Sequence, residues 1–381
     1  MSKKTLMELT LIISKRYLKS KKKKDKSKIL DEYCANTGLH RKYAIEKIRD
    51  ICFDKKDPKK RGRKKEYSYE ADALLITVWE MYDKICGERL HPFLFEGIRK
   101  LEQFGYIHPS KSVKDEVLRM SMSSVKRRIN SERRRHGKSQ FSTTKPGSLL
   151  KKAIPIQTIC WDEESTGFCE IDLVAHCGGS LLGDLIYTLQ FVDIKTTWTE
   201  RKAVMGKGQK GVLKAIKQIR ELLPFDLKGI DSDNGSEFIN YHLVKYCEQE
   251  EIKLTRSRPY MKKDNAHIEQ KNYPLVRKIL GYDRFDTKQQ LKLINDLYDN
   301  ELRLYLNFFK PSLKLKEKIR IGSKYKRKYD EAQTPYQRVI NHKDIPQEKK
   351  DELKTLYETL DPIKLKKSID KKVSKIISLV R

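Results

Sequence analysis

The sequence predicts an α/β domain, built on a mixed sheet with flanking helices and preceded by an all-α region. Upstream of residue 139, apolar residues recur at helical spacing. The period then changes to that of strands in 168–175, 185–193 and 197–204. From residue 208 to about residue 280 the pattern becomes helix, strand, helix, strand, helix. A run of strands followed by alternating helices and strands is typical of a layered α/β domain.

The net charge of +31, from 83 basic and 52 acidic residues, points to a polyanionic partner, and nucleic acid is the first candidate. Residues 1–150 carry +19 and residues 286–381 carry +10, whereas the centre, 151–285, carries only +2. A nearly neutral centre between basic flanks suits DNA chemistry, although a lysine-biased proteome would also give basic flanks. With 381 residues and 38% hydrophobic composition, the chain is long enough for two or three domains.

Several classes of protein are not expected. The seven cysteines form no Cys-x-x-Cys pair, which favours reduced thiols in the cytoplasm. The histidines do not combine with them into a zinc spacing, so no structural zinc is predicted. No apolar run approaches the ~18 residues of a membrane span, and we expect a cytoplasmic protein associated with the nucleoid.

The boundaries between regions of the chain are predicted from these changes in pattern and composition. The predicted regions are 1–54, a helix-turn-helix candidate; 55–67, a basic linker; 68–138, a second helical, DNA-binding region; 139–158, a linker; 159–310, the α/β core; and 311–381, a basic C-terminal region.

In the first region, a Thr37-Gly38 break separates two apolar helical patterns, which is typical of a helix-turn-helix unit. Its second helix would present Arg41 and Lys42 to a DNA groove. A plain helical hairpin would give the same pattern. Residues 19–28 are interpreted as a connector without apolar period.

The linker contains Arg61-Gly62-Arg63, which resembles a basic arm that lies in a minor groove, since glycine lets the backbone approach closely. A solvated linker explains the same residues equally well.

In the second helical region, a break at Ser121 precedes a helix that Ser123 is placed to cap. Apolar Val125 and Ile129 lie one turn apart on this helix. Its exposed basic residues are the predicted DNA contacts: Lys126, Arg127, Arg133 and Arg134.

Three acidic residues in the core stand in segments that can meet. Asp172 interrupts an apolar strand, where an unpaired carboxylate is costly. Asp233 follows the fourth strand within Asp-Ser-Asp-Asn-Gly-Ser-Glu-Phe, and thirty-five residues separate it from Glu269 on the last helix. Most acidic residues are solvated surface charges, and Asp-Asn-Gly is a common turn. If the first and fourth strands are neighbours, however, the three carboxylates converge and can hold two Mg²⁺ or Mn²⁺ ions.

These three motifs, in this order and with this spacing, resemble the DDE catalytic core of the retroviral integrase and insertion-sequence transposase superfamily. The resemblance implies a ribonuclease H-like fold, Mg²⁺ dependence, and hydrolysis at the ends of a mobile element followed by transfer of its 3′-OH ends. It also implies that Asp172, Asp233 and Glu269 are the catalytic metal ligands. The N-terminal zinc module of retroviral integrases is absent from this sequence, which favours a bacterial transposase.

Further residues of the last helix have predicted roles. Asn265 and Asn272 lie on the same helix face as Glu269, so Asn265, His267 and Asn272 are expected to orient the ligand or contact DNA. A capping role for Asn265 is the alternative. One to two turns later, Arg277 and Lys278 are expected to meet phosphate.

The function predicted from the sequence is therefore that of a transposase acting on double-stranded DNA, both element ends and target. A homo-oligomer is expected because two ends must be held together. Two alternatives are a non-catalytic DNA-binding regulator that keeps the fold as a scaffold, and a nuclease of the same fold that cuts without joining.

Overall fold

The computed structural model describes residues 3–52, 66–135, 165–180, 182–232, 237–238, 240–256, 268 and 271–380. The chain forms two compact units, Met1–Glu66 and Tyr67–Arg381. Among the described helices, none is both long and apolar enough to cross a membrane.

The first unit contains three helices, α1 (Lys3–Lys19), α2 (Lys23–Thr37) and α3 (Arg41–Cys52). Its small core consists of Ile13, Leu30, Tyr33, Ala44 and Ile48. The connector predicted at residues 19–28 is shorter in the structure, because α2 already begins at Lys23. Gly38 ends α2 with a φ of +69°, in the left-handed region that glycine adopts without strain.

The second unit begins with a helical region. Its helices are α4 (Tyr69–Met81), α5 (Gly87–Leu90), α6 (Leu94–Gln103), α7 (Lys111–Leu118) and α8 (Met122–Arg135), with a 3₁₀ turn at His91–Phe93. Helix α8 begins at Met122, two residues earlier than a cap at Ser123 would place it. Ser121, not Ser123, therefore lies at its start, and the Ser121 hydroxyl accepts a hydrogen bond from the amide of Ser124.

A five-stranded mixed sheet follows, as predicted. Its strands are β1 (Phe168–Ala175), β2 (Ile186–Asp193), β3 (Thr199–Met205), β4 (Gly229–Ser232) and β5 (Lys253–Arg256). The order across the sheet is β3-β2-β1-β4-β5. Strands β1, β2 and β3 form an antiparallel meander, whereas β4 runs parallel to both β1 and β5. The first and fourth strands are thus neighbours.

The remaining elements surround and follow this sheet. They are α9 (Gln209–Leu222), α10 (Tyr241–Gln249), a π-helical turn (Tyr273–Arg277), α11 (Lys278–Leu280), α12 (Lys288–Leu297), a second π-helical turn (Tyr298–Leu302), α13 (Arg303–Phe309), β6 (Leu315–Ile321), β7 (Lys324–Tyr329), α14 (Pro335–Ile340), α15 (Gln347–Thr359) and α16 (Pro362–Ile377). The helix predicted up to residue 280 is not regular, because Pro274 lacks the amide that an α-helical turn would use. The hairpin of β6 and β7 was not predicted.

Gly167 fixes the start of β1 against β4. Its carbonyl accepts hydrogen bonds from the amides of Lys228 and Gly229, and its own amide donates to Asp193 Oδ1 at 2.9 Å. Its φ is +97°, and a Cβ atom here would lie 2.1 Å from the carbonyl oxygen of Asp226. Only glycine fits this junction without displacing the backbone.

We therefore expect Gly167→Ala to destabilise the protein by about 1–3 kcal/mol, because it adds a backbone clash to a left-handed φ. Chemical denaturation of the purified variant measures this change. Gly206→Ala is the matched control, since Gly206 also has a positive φ, +69°, but a Cβ there would meet no atom within 4 Å. Equal destabilisation of the two variants would contradict the role of the close approach at Gly167.

His176, which follows β1 directly, is buried in the core. Its Nε2 atom lies 2.8 Å from Thr188 Oγ1, which in turn hydrogen-bonds Tyr298 Oη. Its ring packs against Phe285 at a centroid distance of 5.2 Å. Burial, reinforced by the charge of Arg277, lowers the pKa of His176 to about 3. The folded protein therefore holds this ring neutral at pH values where an exposed ring is protonated.

Because the pKa of His176 is lower in the folded than in the unfolded chain, the free energy of unfolding should fall as the pH drops from about 6.5 towards 3. One proton contributes at most about 1.4 kcal/mol per pH unit. We expect His176→Phe to flatten this decline by about that amount, as measured by urea denaturation between pH 6 and 4. His242→Phe, at an exposed position, should keep the parental slope of unfolding free energy against pH. The same parental slope in His176→Phe would contradict the attribution of the decline to His176.

Candidate active site

The candidate site is centred on Asp172 in the middle of β1. The Asp172 Oδ1 atom accepts a hydrogen bond from the amide of Leu173, and Oδ2 accepts one from Asn272 Nδ2 at 2.6 Å. Two residues earlier on the same strand, Glu170 is only 2% exposed and its Oε2 atom accepts the amide of Ile268 at 2.8 Å. Ile268 and Asn272 therefore each contact β1 at one of these two carboxylates.

Strand β4 brings a second acidic segment to the same place. Glu170 is paired with Asp231 in the parallel ladder, and the buried Asp231 accepts a hydrogen bond from Thr255 Oγ1 at 2.6 Å. Ser232 is the last residue of β4 and directly precedes Asp233. Asp233 itself lies outside the described residues, as does Glu269, whose chain neighbour Ile268 is bonded to Glu170.

A row of polar side chains that the sequence interpretation missed extends from Asp172 across the sheet. Asp172 pairs with Gln190 on β2, and Gln190 pairs with Arg201 on β3. Gln190 and Arg201 are both buried. Neither polar atom of the Gln190 amide has a hydrogen-bond partner within the described part of the chain. Gln190 interrupts an apolar strand in the sequence as Asp172 does, whereas Arg201 stands between Glu200 and Lys202 and gave no such signal.

Lys271 adds a half-buried cation next to these carboxylates. Its ammonium donates to the carbonyl of Thr197 at 2.9 Å, and Glu170 is one of the charges that act on it. Burial, together with the charge of Arg201, lowers the pKa of Lys271 to about 7. In the same way, burial lowers the pKa of Arg201 to about 10. The site thus combines acidic and basic groups in a poorly solvated environment.

The donor chemistry around Asp172 fits a hard divalent cation. The Asp172 carboxylate accepts hydrogen bonds from the amide of Leu173 and from Asn272, and an ionised carboxylate is an oxygen donor with several lone pairs. Oxygen ligands of this kind prefer Mg²⁺ or Mn²⁺ to zinc. Within the described ranges no three His, Cys, Asp or Glu residues form a group that could hold a metal ion. Two of the three predicted ligands lie outside those ranges.

The predicted DNA contacts of the first unit are placed on α3. The Arg41 guanidinium bonds the Asp31 carboxylate and, at 2.6 Å, the Ser27 hydroxyl, so this side chain also joins α3 to α2. Lys42 is exposed. Arg61 and Arg63 lie outside the described residues.

The predicted contacts of α8 differ in their surroundings. Lys126 forms an ion pair with Glu88 at 2.5 Å, and Arg127 is exposed, 3.4 Å from the Ser124 hydroxyl. Arg133 donates to the carbonyl of Lys84 at 2.7 Å and lies over the ring of Trp79, whereas Arg134 is exposed. Arg127 and Arg134 are the members of this set best placed to meet a ligand.

Arg277 and Lys278, the two basic residues that follow the site in the sequence, each contact another segment of the protein. Arg277 donates to the carbonyl of Ala175, at the end of β1, at 2.6 Å. Lys278 contacts the Asp83 carboxylate at 3.1 Å, and Lys310 contacts the same carboxylate at 2.6 Å. These ion pairs lower the pKa of Asp83 despite its burial. Asn265 and His267 lie outside the described residues.

Comparison with solved structures finds retroviral integrase cores. The catalytic core domain of BIV integrase is 16% identical, with a TM-score of 0.31, over 45% of this chain and 93% of that chain. The HTLV-2 integrase catalytic core domain in complex with magnesium is 17% identical in its dimeric form, over 39% and 90% of the two chains, with a TM-score of 0.29. Its trimeric form is 18% identical, over 37% and 84%, with a TM-score of 0.28. TM-scores of this size do not establish a shared fold.

Sequence comparison gives a stronger relationship. No protein-family model matches the chain. The "Uncharacterized protein y4rM" of Sinorhizobium fredii (strain NBRC 101917 / NGR234) is 36% identical over 343 residues, which cover 88% of this chain and 95% of that protein. With this identity over nearly the whole of both proteins, the chain belongs to the same family as y4rM.

Proposed function

We propose that this chain is a DDE-type polynucleotidyl transferase, and specifically a transposase that cuts and joins the ends of a mobile DNA element. One observation carries the proposal: Ile268 is bonded to β1 at Glu170, and Asn272 is bonded to β1 at Asp172. Strand β4, which ends one residue before Asp233, is paired with β1 at Glu170. The chain neighbours of Asp233 and Glu269 therefore flank the strand that carries Asp172.

In this proposal Asp172, Asp233 and Glu269 hold two Mg²⁺ or Mn²⁺ ions. When bound, such ions activate the attacking oxygen and stabilise the leaving oxygen of a phosphoryl displacement. The protein supplies the rest: Asn272 holds the Asp172 carboxylate in one orientation, and half-buried Lys271 offsets part of the local negative charge. An attacking water would cut the element end first, and the resulting 3′-OH would then attack target DNA.

The basic flanks supply binding to double-stranded DNA. In the proposed enzyme the two helical regions recognise the element ends through exposed side chains such as Lys42, Arg127 and Arg134. Arg61 and Arg63 would follow the minor groove, and a homo-oligomer would hold two ends at once. A bacterial enzyme of this kind works on the nucleoid, in the cytoplasm.

We expect Asp233→Asn to reduce both strand cleavage and strand transfer by roughly 10³-fold or more, because the neutral amide is a poor ligand for a divalent ion. The substrate is the genomic DNA that flanks this gene, and products are separated on denaturing gels in Mg²⁺. Binding to the same DNA should be unchanged.

Asp226→Asn, at an exposed position seven residues earlier, is the matched control and should keep full activity. Strand transfer retained by Asp233→Asn would refute the proposal. Cleavage without joining by the parent protein would indicate a nuclease, and end binding without any cleavage would indicate a regulator.

We also expect Asn272→Ala to lower activity about 10–100-fold and to raise the metal concentration required for half-maximal activity, because the Asp172 carboxylate loses the group that orients it. Titration of the cleavage rate with Mg²⁺ and with Mn²⁺ measures both effects.

Asn300→Ala is the control for Asn272→Ala, since the Asn300 amide also bonds an aspartate, Asp296, at 3.0 Å on the exposed surface. If Asn272→Ala changed stability as Asn300→Ala does but left the metal dependence at the parental value, Asn272 would be only a packing residue.

A further inference from the structure

The β6–β7 hairpin is an exposed two-stranded ribbon outside the main sheet. Its register runs from Leu315 opposite Tyr329 to Ile321 opposite Lys324, with a bulge between Leu315 and Glu317. Gly322, with a φ of +58°, and Ser323 form the tight turn. Every residue of β7 is exposed. At ~3.3 Å per residue, the seven residues of β6 give an arm roughly 20 Å long.

The composition of this arm matches a polyanion. Residues 315–329 contain seven basic residues and one acidic residue, a net charge of +6. The single acid, Glu317, is neutralised across the strands by Lys328 at 2.7 Å. Alternation along the strands places Arg320, Tyr325 and Arg327 on one face of the ribbon. Arginines that alternate with an exposed aromatic ring are typical of surfaces that bind nucleic acid.

The base of the arm is held firmly against the core. The Asp330 carboxylate accepts the amide of Lys314 at 2.5 Å and an ion pair from Arg338 at 2.8 Å. The Lys314 ammonium donates to the carbonyls of Ile194 and Lys195 at 3.0 and 3.1 Å. These contacts stabilise a two-stranded ribbon that would be marginal in isolation.

The same base adjoins the candidate active site. Thr197, in the turn between β2 and β3, has its hydroxyl 3.2 Å from that of Ser312, three residues before β6. The carbonyl of the same Thr197 accepts the ammonium of Lys271. One turn of the sheet thus contacts both the root of the arm and the segment that carries the third acidic motif.

We propose that the β6–β7 hairpin is a DNA-binding arm that lies along duplex DNA and holds it near the β1 carboxylates. Two strands ~4.8 Å apart, with their side chains, match a major groove about 12 Å wide. Arg320 and Arg327 contact phosphates, and Tyr325, on the same face of the ribbon, packs against the sugar-phosphate backbone. The arm extends the proposed function, but its binding does not require the carboxylates to be catalytic.

Lysines also protect exposed sheet edges from pairing with other chains, and this role would explain many of the charges without any ligand. The two explanations differ in the salt dependence of DNA binding. Removing one side chain that neutralises a phosphate lowers the slope of log affinity against log salt concentration by about 0.9. If the basic residues of the hairpin only protect a sheet edge, removing them leaves the slope of log affinity against log salt concentration unchanged.

The test uses the full chain and a 30-base-pair duplex of arbitrary sequence, with fluorescence anisotropy in a chelating buffer over about 50–300 mM salt. The chelator removes catalysis, so the result is separate from the outcome for the proposed function. We expect Arg320→Ala/Arg327→Ala, which removes two charges from the proposed binding face, to bind more weakly and to lower the salt slope by about two. Circular dichroism verifies that the variant is folded.

The matched control is Lys207→Ala/Lys210→Ala, which removes two charges from exposed positions just before α9 and in its first turn. It should keep the parental slope. A parental slope in the hairpin variant, or an equal reduction in both variants, would overturn the inference and leave edge protection or net charge as the explanation.

Discussion

The hydrogen bond from Asn272 to Asp172 is the interaction on which the candidate site depends. A polar face on a buried sheet is unfavourable unless another segment satisfies it. Here Ile268 and Asn272 provide the partners: the amide of Ile268 bonds the buried Glu170, and the side chain of Asn272 bonds the half-buried Asp172. The two carboxylates are therefore satisfied by residues that lie on either side of position 269 in the sequence.

The positive charge of the second unit is used in more than one way. Part of the positive charge holds the second unit together, as where Lys278 and Lys310 meet Asp83 and where buried Lys100 donates to the carbonyl of Tyr357. Another part remains on surfaces such as the β6–β7 hairpin. Net charge alone does not distinguish these uses, because a lysine in an internal ion pair and a lysine facing solvent count equally.

Much of the sheet was predictable because its strands obey simple rules. Strand β1 has the predicted bounds, since Gly167 and His176 flank an uninterrupted strand-like segment. The β6–β7 hairpin was not predictable, because its alternation is between two kinds of polar or exposed residue and lacks a buried face. The irregular turn at Tyr273–Arg277 depends on packing as well as on Pro274, so helical periodicity gave no warning of it.

The candidate site was likewise predictable from the sequence only in part. Asp172 was recognisable as a carboxylate within an apolar strand, and the structure shows Asn272 bonded to it. Gln190 and Arg201 were missed, because their alignment with Asp172 depends on the register of β1, β2 and β3. Register is set by pairing between distant segments and cannot be read from any one of them.

In the proposed enzyme Asp172 shares a divalent cation with Asp233 and Glu269. A crystal of the full chain soaked in Mn²⁺, with data collected at the manganese absorption edge, locates this ion. We predict anomalous density within about 2.0–2.6 Å of Asp172 carboxylate oxygens, with Asp233 and Glu269 as the other protein ligands, and its disappearance in Asp172→Asn. Manganese bound elsewhere, or density that persists unchanged in Asp172→Asn, would contradict it.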